Sequence, residues 1–512
     1  MADETTAAAP STTPPAALLR GIDWREAFPF THLFRAFRIA VHPSKLLLSL
    51  ILLLGIYTGG RVLDGVWPAA QKYWVPAGAL AGDVDPLPAR PDGRAPQPGP
   101  GYERTGPFAK FLDFQTSQVN NAAVGVLNLN WLGGNLARGG PSVLGSVLAF
   151  LVVGPWWLIG THPVFAALFG IWFFLLWSVF GGAIARIAAV HVARDEKISV
   201  RQALRFSTGK VLSFFFAPVI PLLIVLALGA LLALGGLLLY VPVVGPIAVG
   251  ALLVLGLAVG FVITLVVLGT IGGFNLMYPT VAVEGSDSFD AISRSFSYVF
   301  AKPWRMLWYT LVALVYGAIT YLFVRLFVWL VLLLTHQFVG WWLGPTTQPH
   351  AYFDGVTVQR DDRLINAPVP GAPPASIWPR PGPSPLAPLP YDVQYERLAW
   401  SEKIAAGLIS FWTYLTMSVL GAYAISYYFS ANTLIYALLR REVDATDLDD
   451  VYVEQADEEF AEPAPAAPSP AGPATAAGDA PPADPTAAPG TAKVYDAPES
   501  TKSPEATPPP TA

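Results

Sequence analysis

The sequence contains no cysteine and little charge. Without cysteine the chain has no disulfides, no thiol catalysis and no cysteine-ligated metal site. Charged residues make up 13% of the 512 positions, about half of the roughly 25% that is usual in soluble domains. The net charge of −5, without any block of basic residues, also argues against nucleic-acid binding. These shortages argue against an ordinary water-soluble globule.

Long apolar runs take the place of the missing charge. Hydrophobic residues make up 53% of the chain, and residues 211–283 contain no charged side chain. An apolar run of about 18 or more residues is typical of a membrane-spanning helix. The sequence therefore predicts an all-α integral membrane protein, a six-span helical bundle. The predicted spans lie at about 46–60, 164–185, 211–239, 247–276, 306–334 and 405–438.

The apolar stretch at 143–160 has two interpretations, a seventh crossing or a re-entrant or interfacial helix. Cytoplasmic flanks carry the excess of Lys and Arg. With six spans and both termini inside, the inside segments carry 18 of these residues, against 12 in the longer outside segments. A seventh crossing would place the basic cluster at 186–210, or one terminus, on the wrong side. The charge bias therefore favours six spans, N-in and C-in.

Composition divides the rest of the chain. Residues 1–19 are rich in Ala, Thr and Pro and are predicted to be disordered, ahead of a polytopic membrane domain at 20–440. Two polar, Pro-rich segments, 61–162 and 335–404, are predicted to be extracytoplasmic loops. Residues 441–512 begin with an acidic stretch and continue with 14 prolines between 461 and 512. This segment is predicted to be a disordered acidic, Pro/Ala-rich cytoplasmic tail.

Two predicted cytoplasmic loops contain the same short amphipathic helix. Ser199 can cap the first helix and Asp287 the second, in which Asp290 and Arg294 are predicted to form an i,i+4 pair. With an offset of 88 residues, Ala203-Leu204 matches Ala291-Ile292, and Ser207 matches Ser295. Each helix leads directly into a span. The repeat predicts either an interfacial helix that binds lipid or a partner, or a simple lead-in to the span, and the lead-in is favoured.

The second of these loops resembles a loop that is found in known membrane-protein families. Residues 281–304, VAVEGSDSFDAISRSFSYVFAKPW, resemble a loop of the membrane domain that accompanies glycerophosphodiester phosphodiesterases and of related families of unknown function. The shared pattern is an acidic residue, a capped Ala-x-x-x-Ser helix and an aromatic entry to the next span, with a weaker echo at 194–222. The resemblance implies a bacterial inner-membrane helical bundle. The hydrolase domain of those enzymes has no counterpart in this chain, so their activity is not implied.

No catalytic constellation is visible, and the sequence predicts neither an enzyme nor a cofactor. The six histidines are scattered, without spacing for a metal site. Arg325 is the one basic residue deep inside a predicted span, with Asn275 as another polar intramembrane candidate. Local packing or snorkelling of Arg325 is favoured over contact with an anion. The candidates for contact with lipid headgroups or a partner are Arg194, Lys197, Arg201, Arg205 and Arg294.

These features favour a membrane interaction or scaffold protein that binds protein partners through its loops or tail, apart from the bilayer itself. The alternative is a permease-like transporter of an anionic or lipid substrate, with Arg325 on the path. A membrane-embedded enzyme ranks third, because no nucleophile, base or metal set is present. The process, the partner and the oligomeric state do not follow from the sequence.

Overall fold

A computed structural model describes residues 28–76, 102–133, 141–339, 377–378, 381–382, 384–385, 395, 398 and 400–452. The chain divides into two compact units, Met1–Val453 and Glu454–Ala512. The second unit lies outside the described residues. The predicted disordered N-terminus and the tail beyond residue 452 therefore stay predictions, as do large parts of both Pro-rich loops.

The described residues form eleven helices and one short antiparallel ribbon, so the fold is mainly α as predicted. The ribbon pairs β1 (Tyr73–Pro76) with β2 (Tyr102–Thr105). The helices are α1 Arg35–Ala40, α2 Pro43–Val66, α3 Pro107–Leu127, α4 Val143–Thr161, α5 Pro163–Arg194, α6 Val200–Gly209, α7 Val211–Gly236, α8 Val244–Glu284, α9 Ser288–Ala301, α10 Pro303–Val339 and α11 Trp400–Val443. A π turn lies inside α4, and another inside α5 at Trp177–Gly181.

Seven of these helices are long and apolar enough to cross a membrane, by length and composition. Six of them contain the six predicted spans, and the seventh is α4, which covers the stretch at 143–160. The break between the predicted spans at 211–239 and 247–276 is confirmed, because α7 ends at Gly236, a short 3-10 turn follows at Leu237–Tyr240, and α8 begins at Val244. The chain therefore has the helices of a membrane protein.

Side-chain contacts show which helix ends lie together. Arg38, before α2, lies 3.7 Å from Asp195 after α5. Arg440 near the end of α11 lies 2.7 Å from Glu284 at the end of α8. We call this end of the bundle the base. At the other end of α2, the Tyr73 hydroxyl lies 2.8 Å from His162 Nε2, at the start of α5.

Helices α3 and α4 form an antiparallel hairpin that starts and finishes at that opposite end. Asp64 on α2 accepts hydrogen bonds from the backbone N–H groups of Phe108 and Ala109, both at 2.9 Å. A carboxylate at this position satisfies two of the free N–H groups at the start of α3 and suits the positive end of the helix dipole. Further along, Gln115 Nε2 donates to the carbonyl of Phe150 in α4.

The predicted pair of short helices is present, and each packs along the end of the preceding long helix. The predicted N-caps are confirmed: Ser199 accepts from the N–H of Gln202, and Asp287 accepts from the N–H of Asp290. In α6 the fully buried residues are Ala203 and Ser207, and in α9 they are Ala291 and Ser295.

Helix α1 is a third copy of this element. Ala36 and Ala40 are spaced like the Ala and Ser of the other two helices and are likewise fully buried. The hydroxyl of Ser426 on α11 donates to the carbonyl of Ala40 at 2.7 Å. The three helices α1, α6 and α9 thus each introduce a long helix, α2, α7 and α10, and each turns its small residues toward the bundle.

Candidate functional site

The base of the bundle binds the first residues of the predicted tail. We call residues 444–452 the strap. Val451 is 6% exposed, and the N–H of Tyr452 donates to the carbonyl of Val283 at the end of α8 at 2.8 Å. The ring of Tyr452 lies over Gly285, whose φ of +64° is the left-handed conformation that suits glycine at a helix C-terminus. The tail therefore leaves the bundle from a defined position.

Arg186 on α5 holds the strap to α8. Its Nη1 donates to the carbonyl of Ala282 at 2.7 Å, and its Nη2 donates to the carbonyl of Tyr452 at 2.6 Å. Its guanidinium carbon lies 4.4 Å from the ring centre of Phe206 on α6, a cation–π contact. The side chain is 7% exposed, so one buried cation ties together two long helices, one short helix and the strap.

Arg440 is the second buried cation that binds the strap, and we call the two arginines, Arg186 and Arg440, the dock. Its Nε lies 2.7 Å from Glu284 Oε1, and its Nη2 lies 2.8 Å from Asp450 Oδ2. Its Nη1 donates to the backbone carbonyl of Asp450 at 2.7 Å. The hydroxyl of Tyr436 also donates to Glu284. A small cavity separates the strap from the helix ends, and Thr433 and Arg440 are among the residues that line it.

The end of α11, next to the strap, is also bound by side chains of α9 and α10. The hydroxyl of Tyr298 on α9 donates to Asp444, and that of Tyr309 on α10 donates to Glu442. Arg305 lies 2.5 Å from Glu442. Burial raises the pKa of Tyr298 to about 12, and the hydrogen bond to the carboxylate of Asp444 adds to this rise. Tyr298 is therefore a permanent hydrogen-bond donor at physiological pH.

The predicted headgroup contacts fall into two groups. Arg294 is not a free surface cation, because its Nε lies 3.0 Å from Asp290 and its Nη1 lies 3.7 Å from Glu284. The i,i+4 pair with Asp290, expected from the sequence, is confirmed. The hydrogen bond that Arg294 donates to Asp290 and the charge of Glu284 raise the pKa of Arg294 above its ordinary value. The side chains of the others, Arg194, Lys197, Arg201 and Arg205, are exposed at the base.

A third buried cation, Lys45, lies at the base where α2 meets α11. It is fully buried, and its one hydrogen bond to a described residue is a long one of 3.5 Å to Ser430 Oγ. Within the described part of the chain no carboxylate lies within 4.0 Å of its ammonium group. Ser49, one helical turn further along α2, is also fully buried, and its hydroxyl has no hydrogen-bond partner there.

Two histidines border Lys45. The rings of His42 and His191 lie 5.9 Å apart, and His191 Nε2 lies 3.3 Å from Asp195. Burial lowers the pKa of His42, and the charges of Lys45 and Lys197 lower it further. The imidazole of His42 is therefore neutral at pH 7, and its Nδ1 is a buried atom without a hydrogen-bond partner among the described residues.

Arg325, the intramembrane candidate, lies far from the base and binds part of the second Pro-rich loop. It is 7% exposed; its Nε donates to the carbonyl of Pro385 at 2.6 Å, and its Nη2 donates to Asn120 on α3 at 2.7 Å. Trp329 on the same helix donates to the carbonyl of Gly382. Proline has no N–H group, so a Pro-rich segment has more backbone acceptors than donors. Its carbonyls can therefore accept hydrogen bonds from side chains. Local packing, the interpretation favoured from the sequence, agrees with these contacts.

Asn275 does not lie with Arg325. It is half-buried on α8, and its Oδ1 accepts a hydrogen bond from the hydroxyl of Tyr428 on α11 at 2.8 Å. The two intramembrane candidates therefore do not form one site.

Sequence reasoning treated Arg186, Arg440 and Lys45 only as flanking charges of the positive-inside pattern. Each lies within the first or last turns of a long helix and is at most 8% exposed. Each stands one or two residues outside a predicted span, so the apolar pattern alone does not mark it as buried. A buried charge needs a partner, and these partners come from contacts between helices. Among the described residues no group of three or more His, Asp or Glu side chains could hold a metal ion.

Comparisons with known proteins found no match: no protein-family model, no curated protein and no solved structure corresponds to this chain.

Proposed function

We propose that this chain is a non-enzymatic membrane scaffold that presents its Pro/Ala-rich tail to a partner from a fixed position at the base. The observation that carries the proposal is the docking of the strap by Arg186 and Arg440. Both arginines are buried, and most of their N–H groups bind the strap and the helix ends beside it. A linker in contact only with water would not be bound by two buried arginines. The strap sets where residues 453–512 begin, and the tail supplies the binding segment.

The scaffold is proposed to cross a bacterial inner membrane six times, with the base and both termini in the cytoplasm. The contact between Tyr73 and His162 supports this, because it requires an even number of crossings between α2 and α5. If α4 crossed the membrane alone, these two residues would lie on opposite sides. The resemblance of residues 281–304 to bacterial membrane domains supports the same assignment, as does the excess of basic residues at the base.

The absence of native cysteine makes the topology directly measurable. Single cysteines are introduced at Gln97, Thr161 and Thr357, and at Lys197, Ser293 and Ser469. A membrane-impermeant maleimide is expected to label the first three in intact spheroplasts and the last three only after lysis. Protection of Thr161→Cys until lysis would make α4 a lone crossing and overturn the six-span arrangement.

The scaffold function predicts that the tail retains a partner. After cross-linking in cells, the full chain is expected to co-purify with a specific set of proteins, and a chain that ends at Tyr452 is expected to lose at least one of them. Deletion of residues 1–19, which have a similar Ala/Thr/Pro-rich composition, is the matched control and should leave the set unchanged. If the truncated and full chains retain the same proteins, the tail is not the binding segment.

A permease-like carrier of an anionic substrate is the second candidate. Arg325 gives it little support, because this side chain is already bound to Pro385 and Asn120. The specific observation in its favour is Lys45, a buried cation that has no carboxylate partner within the described part of the chain. Uptake of a labelled anion that requires Lys45 but not the tail would favour the carrier over the scaffold.

A further inference from the structure

Within the described part of the chain, the contact between α2 and α11 leaves a cluster of hydrogen-bond donors without acceptors. The ammonium group of Lys45 has three N–H donors, and its one hydrogen bond to a described residue is the long one to Ser430. The hydroxyl of Ser49 has no partner among the described residues, and the Ser430 hydroxyl, which accepts from Lys45, can still donate its own proton. His42, Lys45 and Ser49 stand at i, i+3 and i+7, so they share one face of α2.

The electrostatics of this cluster are unfavourable as it stands. A buried ammonium group without an anionic partner costs several kcal/mol. Lys45 also lies in the first turn of α2, where the helix dipole places partial positive charge. Three charged side chains lie nearby on other elements: Arg38, Lys197 and the exposed end of Asp195. Asp195 is already bound to His191 and Arg38. An anion at the cluster would compensate the ammonium, the dipole and the unpaired hydroxyl together.

The burial of the cluster limits what this anion is. The side chains of Lys45, Ser49 and Ser430 are all fully buried, so a lipid phosphate in the headgroup layer cannot reach them. A monatomic anion needs the least space and accepts hydrogen bonds from any direction. We propose that Lys45, Ser49 and Ser430 bind a chloride ion between α2 and α11, with His42 at its border.

This site is independent of the tail and of the scaffold function. It would fix the start of α2 against α11, directly next to the α1 helix that the Ser426 hydroxyl holds. Chloride would then contribute to the stability of the base, because a ligand that binds only the folded state stabilises it in proportion to the logarithm of its concentration.

The test compares the thermal unfolding of the full chain in detergent in sodium chloride, sodium gluconate and sodium sulfate at equal ionic strength. Sulfate stabilises folded proteins by its exclusion from their surface, so its effect on Tm is expected to be the same in the wild-type chain and in the Lys45 variant. Chloride is expected to raise the Tm of the wild-type chain by several °C over gluconate. Lys45→Met is expected to abolish this difference, whereas Lys403→Met, an exposed lysine near the start of α11, should retain it. Should Lys45→Met fail to fold, Ser49→Ala is expected to raise the chloride concentration for half-maximal effect several-fold.

Binding is measured directly with radiolabelled chloride on the purified protein, where the wild-type chain is expected to retain about one ion and Lys45→Met or Ser49→Ala less. Two results would overturn the site. The first is no rise in Tm in chloride over gluconate in the wild-type chain. The second is an undiminished rise in both variants, which would indicate a general salt effect.

Discussion

Replacing Arg440 by methionine is expected to lower the free energy of unfolding by about 3 kcal/mol. Methionine has a similar volume and fills the space, so the loss is electrostatic rather than a cavity. Glu284 loses its nearest cation at 2.7 Å and keeps only Arg294 at 3.7 Å, while its carboxylate stays 14% exposed. The strap loses both of its bonds to Arg440, at the carboxylate and at the backbone carbonyl of Asp450.

The measurement is the Tm in detergent, combined with limited proteolysis of the strap. A loss of this size is expected to lower Tm by about 6–12 °C, and cleavage between residues 444 and 452 should become faster. Arg441→Met is the matched control, because Arg441 is the neighbouring residue and its side chain is exposed. An equal, small effect of both substitutions would mean that the strap is not bound through Arg440.

The sequence predicted the local features of the base but not its long-range contacts. The caps at Ser199 and Asp287 and the pair of Asp290 with Arg294 follow from spacings of three and four residues, which a helix brings together wherever it lies. Glu284 and Arg440 are separated by the short helix α9, by α10 and by most of α11, so no local period connects them. Their pairing depends on how α8 and α11 pack, and a single sequence does not predict how apolar helices pack.

The third short helix illustrates a similar limit. The match between α6 and α9 was visible because both have a polar cap and a serine at the same position. In α1 the serine is replaced by Ala40, and the preceding residues lack a side-chain cap. Only burial reveals the equivalence, because in all three helices the two small residues are fully buried. The small size of these side chains, rather than their polarity, is the property that the fold requires.

This requirement leads to the second large effect, at the crossing of α6 over α5. Gly182→Val is expected to destabilise the protein by about 2–3 kcal/mol, because the substitution overpacks a buried contact. A Cβ at Gly182 would lie 2.5 Å from Ser207 Oγ and 2.8 Å from the ring of Phe214, and neither side chain has free space. Movement of Ser207 would also break its hydrogen bonds to the carbonyls of Ser178 and Val179 in the π turn.

The same helix provides the control. A Cβ at Gly170 meets no atom within 4 Å, so Gly170→Val should change Tm by less than a third of the shift at Gly182. The corresponding contact at α9 gives an independent check. At Gly273 the nearest atom is the Cβ of Ser295 at 3.3 Å, so Gly273→Val should also destabilise the protein, by less than Gly182→Val. If both valines are tolerated as well as the one at Gly170, the short helices do not pack against the long ones, and the repeated element is a surface helix after all.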